Sequence, residues 1–112
     1  MIAIVNQKIQ DELAELMGAD DLHELLQEAA VQFDERIAVL ETAWMQEDWA
    51  ATRAIAHKIK GSMGSLGYDA CFHALDGLER QLLSQPAQVP TVVELDQIKE
   101  ILIKTRQALA SA

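Results

Sequence analysis

The sequence predicts an all-α fold: an antiparallel four-helix bundle in up-down-up-down order, with a short additional helix at the N-terminus. Three observations lead there. Leu, Ile, Ala, Glu, Gln and Lys dominate while aromatics make up only 4% of the chain, a balance that favours helix. Apolar residues recur at three-and-four spacing through most of the sequence. The strongest turn signals fall in a few short places, so that successive helices are joined by tight connections. The 112 residues supply one core and not two, and 1–112 is read as a single domain.

Each element has its own signal. Asn6 is a suitable N-cap for a short helix over about 6–17, carried by Ile9, Leu13, Leu16 and Met17 and stopped by Gly18. From Asp20 or Asp21 the series Leu22, Leu25, Leu26, Ala29, Phe33, Ile37, Leu40 and Trp44 keeps helical spacing over about 21–46. Asp48 can cap a helix over about 48–66 with Ile55, Ala56, Ile59, Met63 and Leu66 inward. Gly67 suits a left-handed cap that turns the chain into a helix over about 68–84, built on Cys71, Leu75, Leu78 and Leu82. Both prolines lie in the linker from Ser84 to Pro90, after which Thr91 and Glu94 form a capping-box pattern. The last helix, about 91–110, carries Leu95, Ile98, Ile101, Leu102, Thr105 and Leu109, with Lys104 and Arg106 placed against the helix dipole.

Charge narrows the function classes. The net charge of −9 opposes contact with phosphate backbones and argues against nucleic-acid binding. The apolar stretch from Met1 to Val5 is too short for a signal-peptide core or a membrane span, so no membrane attachment is expected. Cys71 stands alone and no Cys/His grouping has zinc-site spacing, which suits a reducing compartment, by default the cytoplasm, and predicts neither metal nor cofactor. Within this acidic chain the segment from Trp49 to Gly67 is an exception, holding Arg53, Lys58 and Lys60 and no carboxylate.

The chemistry is expected in that segment. On a helical wheel His57 lies roughly 150° from the centre of the apolar stripe and so faces solvent. Arg53 and Lys60 fall one turn to either side of it, with Gly61 and Gly64 further along the same face. Each mid-helix glycine costs about 1 kcal/mol relative to alanine. Two on a face that packing does not require point to an open surface where another protein's backbone approaches closely. A neutral imidazole is nucleophilic and can take a phosphoryl group on a ring nitrogen, and Lys60 and Arg53 could offset the added negative charge. No base, oxyanion hole or metal cage accompanies His57, so it reads as a carrier whose chemistry is catalysed by its partners, and not as an enzyme.

The run His57-Lys58-Ile59-Lys60-Gly61-Ser62, followed by Leu66-Gly67, Cys71 and Leu78-Glu79, resembles the histidine-containing phosphotransfer (HPt) domain of multistep two-component relays. The resemblance extends over nearly the whole chain. It implies a four-helix bundle that moves phosphoryl groups between aspartates of receiver domains, those of a hybrid sensor kinase and a response regulator, without kinase activity of its own. It assigns His57 as the phosphorylated residue, Lys60 as the lysine that faces the phosphoryl oxygens, and Gly61 as the glycine that opens the docking surface. Glu79 matches a polar position that helps orient the imidazole. Met63, Gly64 and Tyr68 depart from the residues commoner in the family, which bears on partner choice.

An exposed helical histidine is ordinarily a plain surface residue, and His23 and His73, which lack the cationic and glycine setting, are read that way. Ser62 lies toward the core side and is expected to bond within the bundle. Cys71, in an apolar stripe, is expected to be buried and inert. Lys58 and Arg53 are either solvated charges or contacts to the acidic face of a receiver. Trp44 and Trp49 flank the turn between the second and third helices and are assigned to packing. The expected state is a free-standing monomer. The alternative is a helical adaptor that binds a signalling partner through the same face and never carries phosphate.

Overall fold

The computed structural model describes residues 2–112, so Met1, the first residue of the short apolar stretch, lies outside the described residues. Among the described residues there are five helices and no strand: α1 (Gln7–Met17), α2 (Ala19–Met45), α3 (Trp49–Ser65), α4 (Asp69–Leu83) and α5 (Val92–Ala110). None of them is long and apolar enough to cross a membrane.

Local chemistry sets the ends. Asn6, Asp48 and Thr91 each accept a hydrogen bond from the backbone N–H three residues on, capping α1, α3 and α5. Gly18, at φ 89°, closes α1 and leads directly into α2, which begins at Ala19. Gly67, also at φ 89°, is the left-handed residue after α3. Its N–H bonds Gly64 O at 3.2 Å while Tyr68 N–H bonds Met63 O at 2.9 Å, the paired bonds of a Schellman turn. A side chain at Gly67 would also meet Asn6 O and Ile9 at 3.2 Å, because the start of α1 sits on this turn. Asn6 N–H donates to Gly67 O, Asn6 Nδ2 to Asp69 and Gln10 Nε2 to Leu66 O, tying α1 to the α3–α4 turn and the start of α4.

The helices pack in a cycle: α2 against α3 and α5, and α4 against α3 and α5, with α1 on α2. The core between them includes Leu26, Phe33, Leu40, Ile59, Met63, Leu75, Leu78 and Leu102, each at most 3% exposed. Fully burying a side chain of this size is worth about 1.5–3 kcal/mol, so this cycle of contacts holds α3 in place beneath its outer face.

Several inward assignments are corrected. Leu16 is 84% exposed and Leu25 36% exposed. Each has an apolar neighbour in the next position, Met17 and Leu26, and a step of about 100° allows only one of the two to face the core. Thr52, absent from the expected stripe, is fully buried and returns its hydroxyl hydrogen to Asp48 O at 2.8 Å. Arg106 pairs across to Asp34 of α2, and Lys104 pairs with Glu100 one turn back, so both serve side-chain ion pairs and not the end of α5.

Candidate functional site

The apolar residues of α3 determine what its outer face presents. With Ala56, Ile59 and Met63 buried, the helical step leaves Arg53, His57, Lys58 and Gly61 exposed. The His57 side chain is 67% exposed. Its inner edge is not free: Nδ1 lies 2.9 Å from Oε1 and 3.2 Å from Oε2 of Glu79 on α4. An ionised carboxylate only accepts hydrogen bonds, so Nδ1 carries the proton and the lone pair of Nε2 is directed away from Glu79. The arrangement presents one defined nitrogen as a nucleophile.

Glu79 is itself held. Lys60 Nζ lies 2.8 Å from Glu79 Oε2 and 3.1 Å from Asp76 Oδ1, and Arg80 Nη2 lies 2.9 Å from Asp76 Oδ2. Lys60 also stands 5.8 Å from the centroid of the Phe72 ring. The result is a connected polar chain, His57, Glu79, Lys60, Asp76 and Arg80, linking α3 to α4, with charge alternating from Glu79 through Lys60 and Asp76 to Arg80. Its effect on protonation follows. Hydrogen bonds to Glu79 and then Asp76 raise the Lys60 ammonium above its ordinary value. The Lys60 hydrogen bond holds Asp76 below the usual carboxylate value. Burial pulls the Glu79 carboxyl upward, but hydrogen bonds from Lys60 and His57 outweigh it and leave the group low. All three are therefore charged at neutral pH.

The site residues read from the sequence fare differently. Lys60, placed by the wheel on the outward face, is 16% exposed and bound by two carboxylates of α4. An ideal Cβ on Gly61 would meet nothing within 4 Å, so the surface beside His57 is open there. Gly64 is a correction. A Cβ at that position would stand 2.8 Å from Phe72 Cδ2, so packing does require this glycine, and Phe72 fills the space above it. Ser62 turns inward and accepts a hydrogen bond from Arg36 Nη1 of α2 at 2.9 Å. Lys58 and Arg53 are exposed, and among the described residues neither pairs with a carboxylate. His73 is exposed and stands edge-on to Phe72, while His23 is exposed on α2. Cys71 is fully buried, and burial pushes its thiol up to about 12.

Four residues of this constellation were not legible as site residues in the sequence: Phe72, Asp76, Arg80 and Arg36. Phe72, Asp76 and Glu79 follow one another at steps of four and three, so they share a face of α4. That spacing was the available signal. Arg36 had none, because its contact with Ser62 joins positions 26 residues apart.

A family model described as the Hpt domain matches residues 24–108, a span that contains α3, α4 and the whole His57 constellation. No curated protein and no solved structure matches the chain.

Proposed function

The chain belongs to the Hpt domain family, a family that implies histidine phosphotransfer in phosphorelays, and on that premise we propose that His57 is the residue that carries the phosphoryl group. The observation that carries the proposal is the Glu79 contact, which leaves Nε2 of an exposed imidazole as the free nucleophile. A receiver domain brings its aspartyl phosphate to this face. The Nε2 lone pair attacks phosphorus, the Nε2–P bond forms as the acyl O–P bond breaks, and the receiver's carboxylate leaves with the bond electrons. The ring keeps its Nδ1 proton and gains positive charge, which the Glu79 carboxylate stabilises at hydrogen-bond distance. Return of the group to another receiver runs the same step backwards.

Lys60 has the second role. Its ammonium shares the Glu79 carboxylate with His57, and when the phosphoryl group arrives it can exchange that bond for a phosphoryl oxygen while Asp76 retains it. Gly61 leaves the approach clear. Lys58, exposed on the same helix, faces the acidic partner. The finer reading is a cytoplasmic monomer, an up-down-up-down four-helix bundle serving the receivers of a hybrid kinase and a response regulator, with no kinase activity of its own. The helix cycle described above supports that architecture.

The test is incubation with a phosphorylated receiver domain. The expected product is a phosphoprotein whose label is lost in acid and kept in alkali, and His57→Gln should abolish it. Labelling that persists in the variant would overturn the assignment of His57.

A further inference from the structure

A groove of 740 Å³ opens where the start of α3 faces the α4–α5 connection, and the phosphotransfer chemistry described above makes no use of it. Trp49 and Arg53 form one wall, with Leu82, Leu83, Pro86 and Val89 among the residues opposite. Its composition is unusual for this chain. The protein carries 18 carboxylate residues against nine Lys and Arg, yet none of the residues lining the groove is acidic and the one charge in it is Arg53. Among the described residues no carboxylate neutralises that guanidinium. Leu83 and Val89 are 51% and 56% exposed, so the apolar wall is open to solvent as well.

Position identifies the occupant. Arg53 precedes His57 by one turn, about 6 Å along α3, and Trp49 by two turns, about 12 Å. A partner that buries about 800 Å² on each side covers a disc of about 16 Å radius around the point of transfer. A receiver centred on Nε2 therefore reaches Arg53 and Trp49, the α3 wall of this groove. Resting on the phosphotransfer reading, we propose that the groove anchors a segment of the receiver that presents a carboxylate beside an apolar side chain. The carboxylate bonds Arg53 bidentately, and the apolar side chain lies between Trp49 and Val89. Arg53 is then a docking residue that selects among receivers, which narrows the three roles open to it in the sequence, a phosphoryl contact, a receiver contact and a solvated charge, to the second.

The two roles separate kinetically. Initial rates of transfer from a phosphorylated receiver that labels the unmodified protein are measured against receiver concentration, for Arg53→Glu and for Val89→Glu on the opposite wall. Both positions are exposed, so the fold should tolerate the changes. Docking predicts that KM rises about tenfold for Arg53→Glu and about fivefold for Val89→Glu, with kcat held within about twofold. An unchanged KM in either variant overturns the assignment, as does a fall in kcat at constant KM for Arg53→Glu. If no receiver labels the unmodified chain, the phosphotransfer reading itself fails. Normal labelling with unchanged KM removes only the groove.

Discussion

Glu79 joins His57 and Lys60, with Oε1 2.9 Å from His57 Nδ1, and Oε2 2.8 Å from Lys60 Nζ and 3.2 Å from Nδ1. One carboxylate thus sets the tautomer of the imidazole and holds the cation beside it. Replacing it with an apolar side chain, Glu79→Leu, frees the ring to protonate at either nitrogen and, on the proposed role of His57, should slow transfer by about ten- to a hundredfold. Nitrogen NMR of the imidazole should show Nδ1 protonated in the native protein and mixed tautomers in the variant. A native ring protonated mainly on Nε2 would contradict the arrangement.

The same ion cluster predicts how stability depends on pH. Glu79 and Asp76 sit below their ordinary values of 4.5 and 3.8, so the unfolded chain binds protons more readily than the folded one. Their contribution is complete above those values and is lost as pH falls through them toward the lower folded values. Lys60 sits above its ordinary 10.5, and its contribution is complete below that value and lost as pH rises past it. Urea midpoints should hold level from about pH 5.5 to about pH 10 with respect to these groups and fall on either side. The double variant Asp76→Asn, Glu79→Gln should show a shallower acid limb.

The three glycines of the α3 region should respond to alanine in different directions. Gly61→Ala meets open space and gains helix propensity, raising stability by about 0.5–1 kcal/mol. Gly64→Ala drives a methyl into the Phe72 ring and should cost about 1–3 kcal/mol. Gly67→Ala combines a left-handed backbone with contacts at 3.2 Å and should cost at least about 1 kcal/mol. Chemical denaturation of the three variants decides each sign separately.

Cys71 is fully buried with its thiol pushed up to about 12. In the native protein it should therefore resist a thiol reagent at pH 8 for as long as the fold persists, and react at once in denaturant. Rapid modification of the native protein would show that α4 opens locally.

The helices could be read from the chain because their causes are local. Apolar spacing, the caps at Asn6, Asp48 and Thr91, and the left-handed glycines act within a few residues of one another. So does the placement of His57 on the outer face of α3, which follows from where Ile59 and Met63 must point. Where two adjacent apolar residues competed for one inward direction, as at Leu25 and Leu26, the wheel could not choose between them; the packing did.

What the tertiary structure decided is everything that passes between helices. A wheel drawn on α3 puts Lys60 and Gly64 on an outward face beside His57, since it contains no neighbour. Packing α4 against α3 brings Glu79 and Asp76 to Lys60 and lays Phe72 over Gly64, so one residue becomes part of an ion cluster and the other a packing requirement. The choice of Nε2 over Nδ1 likewise depends on a carboxylate 22 residues away in the chain. The sequence by itself determined that His57 would face outward from α3. The fold alone determined which of its nitrogens is free.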